Sequence, residues 1–188
     1  MIVESLVTTM DAAGRVNLAP MGVEWGDEIV LKPFVDTTTF RNLVATRAAV
    51  LHLTDDVLLF VQAALGEPEF GWRPAESVRG AVLDDACSWR ELEVASIDDA
   101  PPRARIVTRA VRSGRGREFL GFNRARHAVL EGTILATRLH LLPASEVSDQ
   151  FARLAVPVEK TAGPREREAW TWLTAFVRAR GISVGATA

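Results

Sequence analysis

Few folds accommodate the order of elements written between Val16 and Thr54, where a β-hairpin runs directly into a hydroxyl-rich helix start. Val16, Leu18, Met21 and Val23 form one apolar run, Trp25-Gly26-Asp27 a turn, and Ile29, Val30 and Leu31 a second run, which together predict two strands and their connection. Behind them Phe40, Leu43 and Val44 recur at i, i+3 and i+4, so the next element is a helix with one apolar face. Asp36 and Thr37 to Thr39 are the residue types that favour its N-cap. The N–H groups of a helix start carry partial positive charge. Three threonine hydroxyls, with Arg41 and Lys32 nearby, match a socket for a dianionic phosphate. A threonine-rich cap with no ligand has the same sequence, and the motif alone leaves both readings open.

Composition narrows the partners. At 188 residues and 48% hydrophobic content, the chain can bury one substantial core, with or without a small helical appendage. A net charge of -2 gives no general attraction to nucleic acid or to an anionic membrane, and neither is expected as a partner. No apolar stretch approaches the ~20 residues of a membrane span, and Met1-Ile2-Val3-Glu4 lacks a signal peptide's basic start, so the expected location is the cytoplasm. The single Cys87 rules out an intrachain disulfide and a multi-cysteine zinc site. There is no tyrosine, and His52, His127 and His140 lack metal-site spacing, so no metal is expected and no general acid or base is assigned. His52 and His140 sit in alternating apolar runs, where a buried imidazole with satisfied hydrogen bonds is the default. Asp55-Asp56, Asp84-Asp85 and Asp98-Asp99 read as turns. Eight arginines lie between Arg103 and Arg126, but with only two lysines in the chain arginine is its ordinary cation, and no aromatic interleaving supports base stacking.

Elsewhere Ile2 to Thr9 and Ala48 to Thr54 read as strands, and Cys87 to Ile97 with Arg103 to Ser113 as a longer pair. Val57 to Leu65 reads as a short buried helix. Residues 66–85 form a long Gly- and Pro-bearing loop in which Phe70 and Trp72 either cover a ligand or pack on their own barrel. Asn123 caps a helix whose stripe is Val129, Leu130, Thr133, Ile134 and Thr137, Leu139 to Leu142 returns to strand, and Ala144 to Val156 is a helix stopped by Pro157. A last helix starts at Pro164, carries Ala169, Trp172, Leu173, Phe176 and Val177 on one stripe, and stops at Gly181, beyond which the tail is expected to fray.

The succession ESLVTT, NLAPMGV, LKPF, DTTTFRNL, LHLTDD, CSWRELEV and GFNRARHAVLEGTILATRLHLL resembles the family known as domain of unknown function 447, from about residue 2 to residue 142. That family is similar to the flavin reductase and pyridoxamine-phosphate-oxidase group. The resemblance implies a mainly β fold with helices, an antiparallel Greek-key split β-barrel over residues 1–143, with a C-terminal helical extension, 144–188, packed on the same domain. It also implies FMN as cofactor, held at the interface of a homodimer. In that frame Thr37, Thr38, Thr39 and Asn42 hold the 5′-phosphate, with Lys32 and Arg41 as counter-charges. The backbone of Ala19, Met21, Gly22 and Val23 meets the ring edge, Thr54 and Asp56 reach the pyrimidine side, and Asn123, Arg124 and Arg138 lie near the flavin or the subunit contact, unless the arginine at the helix start pairs with Glu131 or a neighbouring acid. An FMN-dependent oxidoreductase follows, its small-molecule substrate unknown, with reduced pterins of one-carbon metabolism suggested by the family's context. A flavin- or nucleotide-binding dimeric or regulatory module without turnover stays open beside it, as does haem on His52 or His127.

Overall fold

In the computed structural model, which describes residues 1–185, the chain divides into two compact units. The first comprises Met1–Thr54 and Glu69–Phe119, the second Asp55–Pro68 and the chain from Leu120 onward. Apolar alternation builds the first. Strands β1 (Ile2–Met10), β2 (Val16–Glu24), β3 (Ile29–Leu31), β4 (Ala48–Leu53), β7 (Ser88–Asp98) and β8 (Arg105–Arg115) close into an antiparallel barrel in the order β1-β2-β3-β8-β7-β4. Inward residues Val7, Val23, Leu31, Leu51, Leu92 and Ile106 fill it together with Leu43 of α1 (Thr38–Thr46).

The long loop contains a two-stranded hairpin, β5 (Trp72–Pro74) with β6 (Ala81–Leu83), and packs on its own barrel. Four polar side chains tie it down. The fully buried Glu91 carboxylate accepts the N–H groups of Glu76, Ser77 and Val78 at 3.2, 2.6 and 3.2 Å. Arg79 donates to the carbonyls of Asp11 and Ala12, and the Thr8 hydroxyl to that of Ala81 at 2.6 Å. His52, fully buried, accepts the Leu83 N–H at Nε2 and sits 3.1 Å from the Leu6 carbonyl at Nδ1, so its proton is on Nδ1. Neither nitrogen is left for a metal, which removes His52 as a haem ligand. Burial lowers its pKa to about 4.

The second unit is helical. Helices α2 (Val57–Leu65), α3 (Arg124–Ala136), α4 (Ala144–Thr161) and α5 (Pro164–Arg178) pack Val61, Val129, Phe151, Trp170, Leu173 and Val177 into one core. Three expectations are corrected here. Leu139–Leu141 is a 3-10 turn rather than a closing strand, and the barrel closes with six strands without it. Four residues of alternation are too few to separate the two periods. Helix α4 continues past Pro157 to Thr161, because proline removes one intrahelical N–H while Val158, fully buried, keeps the last turn on the core. Past Gly181, whose φ is 79°, Ile182 and Val184 are buried and Arg178 donates to the Val184 carbonyl, so the chain stays packed through them. The expected fraying of residues 186–188 lies outside the described residues.

Candidate functional site

One strand of the barrel is left half-paired. β2 ladders with β1 along its whole length, but with β3 only at Glu24↔Val30. In an antiparallel pair, alternate residues turn their N–H and C=O towards the partner strand. The backbone bonds Trp25 N–H to Met1 O, 2.8 Å, and Asp11 N–H to Arg15 O, 3.0 Å, fix which residues these are in the β1-β2 register. Ala19, Met21 and Val23 face β1. Leu18, Pro20 and Gly22 face the open side, where Pro20 offers a carbonyl alone and the N–H groups of Leu18 and Gly22 have no partner among the described residues. Of the donors expected from sequence at the ring edge, Gly22 therefore points outward, and Met21 and Val23 point into the ladder. Nor does Gly22 leave open space at its Cα: an added Cβ would come within 2.9 Å of Ile2 Cγ2 and 3.0 Å of Glu4 Oε1.

Helix α1 stands beside this edge. Buried Thr39 accepts the Asn17 amide at 3.0 Å, and buried Asn42 donates to the Thr9 hydroxyl at 3.1 Å, a polar cluster that fastens the helix to β1 and β2. Asn17 and Thr9 belong to no motif in the sequence, and their one signal there is that they are polar residues inside apolar strand runs. Thr39 and Asn42 thus face inward. Thr37 is the N-cap, its hydroxyl accepting the Phe40 N–H at 3.3 Å and donating to the Phe34 carbonyl. Thr38 and Arg41 lie on the exposed side, with Arg41 donating to the Thr38 hydroxyl at 2.9 Å and the Asp36 carbonyl at 2.7 Å. The Thr38 and Thr39 N–H groups have no partner among the described residues, and no acid stands in the first turn. The helix start is open to an anion.

Lys32 is already engaged. Its ammonium pairs with Glu24, whose carboxyl this contact holds below the usual range, and Arg105 lies 3.9 Å from the same carboxylate. Arg41, which makes hydrogen bonds but no ion pair among the described residues, is the cation at the helix start that a ligand could use.

The other expected site residues have structural partners. Thr54, just past the end of β4, accepts from Arg117 at 3.4 Å. Asp56 caps α2 by accepting the Leu58 and Leu59 N–H groups, each at 3.1 Å, and pairs with Arg165 at 2.8 Å. Asn123 closes the α3 start, its Oδ1 accepting the Ala125 and Arg126 N–H groups at 2.8 and 3.1 Å. Arg124 is exposed and makes no ion pair among the described residues, with Glu131 or otherwise. Its neighbour Arg126 is half-buried between two buried carboxylates, Asp55 at 2.5 Å and Glu166 at 2.8 Å. Among the described residues no group of His, Cys, Asp and Glu is placed to hold a metal ion, and no helix is long and apolar enough to cross a membrane.

Family models match most of the chain: "Protein of unknown function (DUF447) N-terminal domain" over residues 3–117 and "Protein of unknown function (DUF447)" over 123–175. Among solved structures, an FMN-bound protein of Methanosarcina mazei, matched by the same family model, superposes with a TM-score of 0.80 at 21% identity, covering 93% of this chain and 94% of that one. The 2-nitrobenzoate 2-nitroreductase of Pseudomonas fluorescens aligns with a TM-score of 0.52 at 19% identity over 61% of this chain and 64% of its own. A flavoredoxin of Methanosarcina acetivorans gives 0.55 at 11% identity over 64% and 72%. These likenesses establish a shared fold, the antiparallel barrel of flavin-reductase-like proteins.

Proposed function

The chain belongs to the DUF447 family, and we propose that it is an FMN-binding flavoprotein of the oxidoreductase type. The observation that carries the proposal is the open start of α1 beside the unpaired edge of β2. Both features suit the two ends of FMN. The Thr38 and Thr39 amides, the Thr38 hydroxyl and the Arg41 guanidinium would hold the 5′-phosphate, while the Thr37 hydroxyl, whose proton goes to the Phe34 carbonyl, would cap the helix beneath it. The Gly22 and Leu18 N–H groups and the Pro20 carbonyl would meet the polar rim of the ring system, where a backbone donor tunes the flavin's potential. The FMN-bound Methanosarcina mazei relative supports the choice of cofactor.

When bound, the isoalloxazine supplies the electron transfer. The chain's own part is to hold and orient it: Thr39 and Asn42 fix the position of α1 through Asn17 and Thr9, and the barrel fixes β2. Copies of the chain would meet around the flavin as a homodimer, the open β2 edge being where a second copy completes the site. Reduced pterins, which the family resemblance brings forward, are the first electron donors to try. The test is the absorbance spectrum of the protein as purified, with the mass of whatever denaturation releases. Flavin bands and the mass of FMN are expected; a colourless protein that takes up no added FMN would refute the proposal.

A further inference from the structure

Four residues of α3 recur at helical spacing on one stripe: Arg124, His127, Ala128 and Glu131. Arg124, His127 and Glu131 are exposed, and the small Ala128 lies low between them. Beside the stripe, Phe122, Leu154 and Pro157 join it in lining a groove of about 430 Å³. Phe122 is 90% exposed and meets His127 edge-on at 5.9 Å between ring centroids. Val156, next to Pro157 on α4, is 46% exposed.

The charge order of this stripe is what selects an occupant. Arg124 stands at one end and Glu131 at the other, two turns apart, with a small residue between. A second α3 can lie antiparallel across the first about a two-fold axis that passes between His127 and Ala128. Arg124 then meets Glu131 of the second copy, and Glu131 meets its Arg124. Beside the axis each Ala128 faces the other copy's His127, and its small side chain lets the helices approach. Neither charge has an ion-pair partner within the chain among the described residues, so the pairing displaces nothing. The exposed Phe122 ring supplies the apolar anchor that such a contact needs, and the groove beside it the matching recess.

We propose that the α3 face is a self-complementary contact between two copies of this chain, with the Arg124–Glu131 pair formed twice across the axis. This contact uses a different face from the one proposed at the β2 edge, so its loss should leave FMN content unchanged. The test uses the full chain with Arg124→Glu and Glu131→Arg, singly and mixed, followed by sedimentation velocity, with FMN content and circular dichroism recorded on each sample. Each single variant sets like charges opposite each other and should weaken association through this face roughly tenfold or more, leaving the contact proposed at the β2 edge and the FMN content as in wild type. An equimolar mixture of the two should restore it. One variant then presents only carboxylates at the two ends of the stripe and the other only guanidinium groups, so both pairs across the axis are again of opposite charge. Wild-type protein that associates no further than the contact at the β2 edge would hand the groove to a different partner and overturn the proposal. Single variants that sediment like wild type would overturn it too, and weakened singles that fail to recover on mixing would refute the antiparallel register.

Discussion

Two helix starts in this chain look alike in sequence and differ in the fold. Helix α1 begins behind Asp36 and three threonines, α3 behind Gly121, Phe122 and Asn123, and both carry arginine within their first turns. At α3 the donors are already taken: Asn123 accepts the N–H groups of Ala125 and Arg126, the Thr161 hydroxyl also accepts that of Ala125, and the Arg126 side chain is clasped by two buried carboxylates. At α1 a single hydroxyl caps one amide, two inward-facing polar residues hold the helix to the barrel, and two amides with one cation stay available. A preferred cap residue therefore marks where a helix begins. Whether that beginning binds anything depends on how many donors its own surroundings leave over.

The largest effect should come from the closed side. Arg126→Met deprives the buried Asp55 and Glu166 carboxylates of their shared guanidinium, and a loss of about 3–5 kcal/mol is expected in chemical denaturation of the helical unit. An unfolding midpoint close to wild type would show that the α3 start is not anchored as described.

Second in size is a pH effect confined to the barrel. His52 is held neutral with a pKa of about 4, below its unfolded value near 6.5, so the unfolded chain binds the proton first. Its contribution is complete above about pH 6.5 and is lost progressively as pH falls towards 4, up to roughly 3 kcal/mol. Hydrogen exchange of β1, β4 and β6 amides should speed up across that window while α3 and α5 amides change less. Equal acceleration in both units would argue against His52 as the cause.

Among the cations the contrast is narrower. Arg41→Ala should weaken FMN binding about tenfold, near 1.4 kcal/mol, whereas Lys32→Gln should change it little because Glu24 already holds that ammonium. The reverse ranking in a fluorescence-quenching titration would move the phosphate towards β3. Smallest is Asn123→Ala, for which a loss of about 1 kcal/mol of stability is expected with FMN affinity unchanged. A drop in affinity without a drop in stability would make α3 a binding element after all.

Much of the architecture was legible in advance, since period-2 runs such as Ile2 to Thr9 and stripes such as Ala169 to Val177 carry their own geometry. The hairpin inside residues 66–85 was not, because its strands are three residues each and are held by Glu91, His52 and Thr8 from elsewhere in the chain. The site was legible as a cluster but not as a set of orientations. Sequence places Thr37, Thr38, Thr39 and Asn42 together, yet only the hydrogen bonds from Asn17 and to Thr9 show that Thr39 and Asn42 turn inward. Likewise, which amides of Ala19 to Val23 face outward depends on strand register, fixed by the β1-β2 ladder rather than by residue type.

Whether the open α1 start binds the phosphate of a flavin is decided by the affinity of wild type and Thr38→Val for FMN and for riboflavin, which lacks the phosphate. Wild type should prefer FMN, and Thr38→Val should lose much of that preference while its affinity for riboflavin holds. Equal affinity of wild type for both ligands would contradict it.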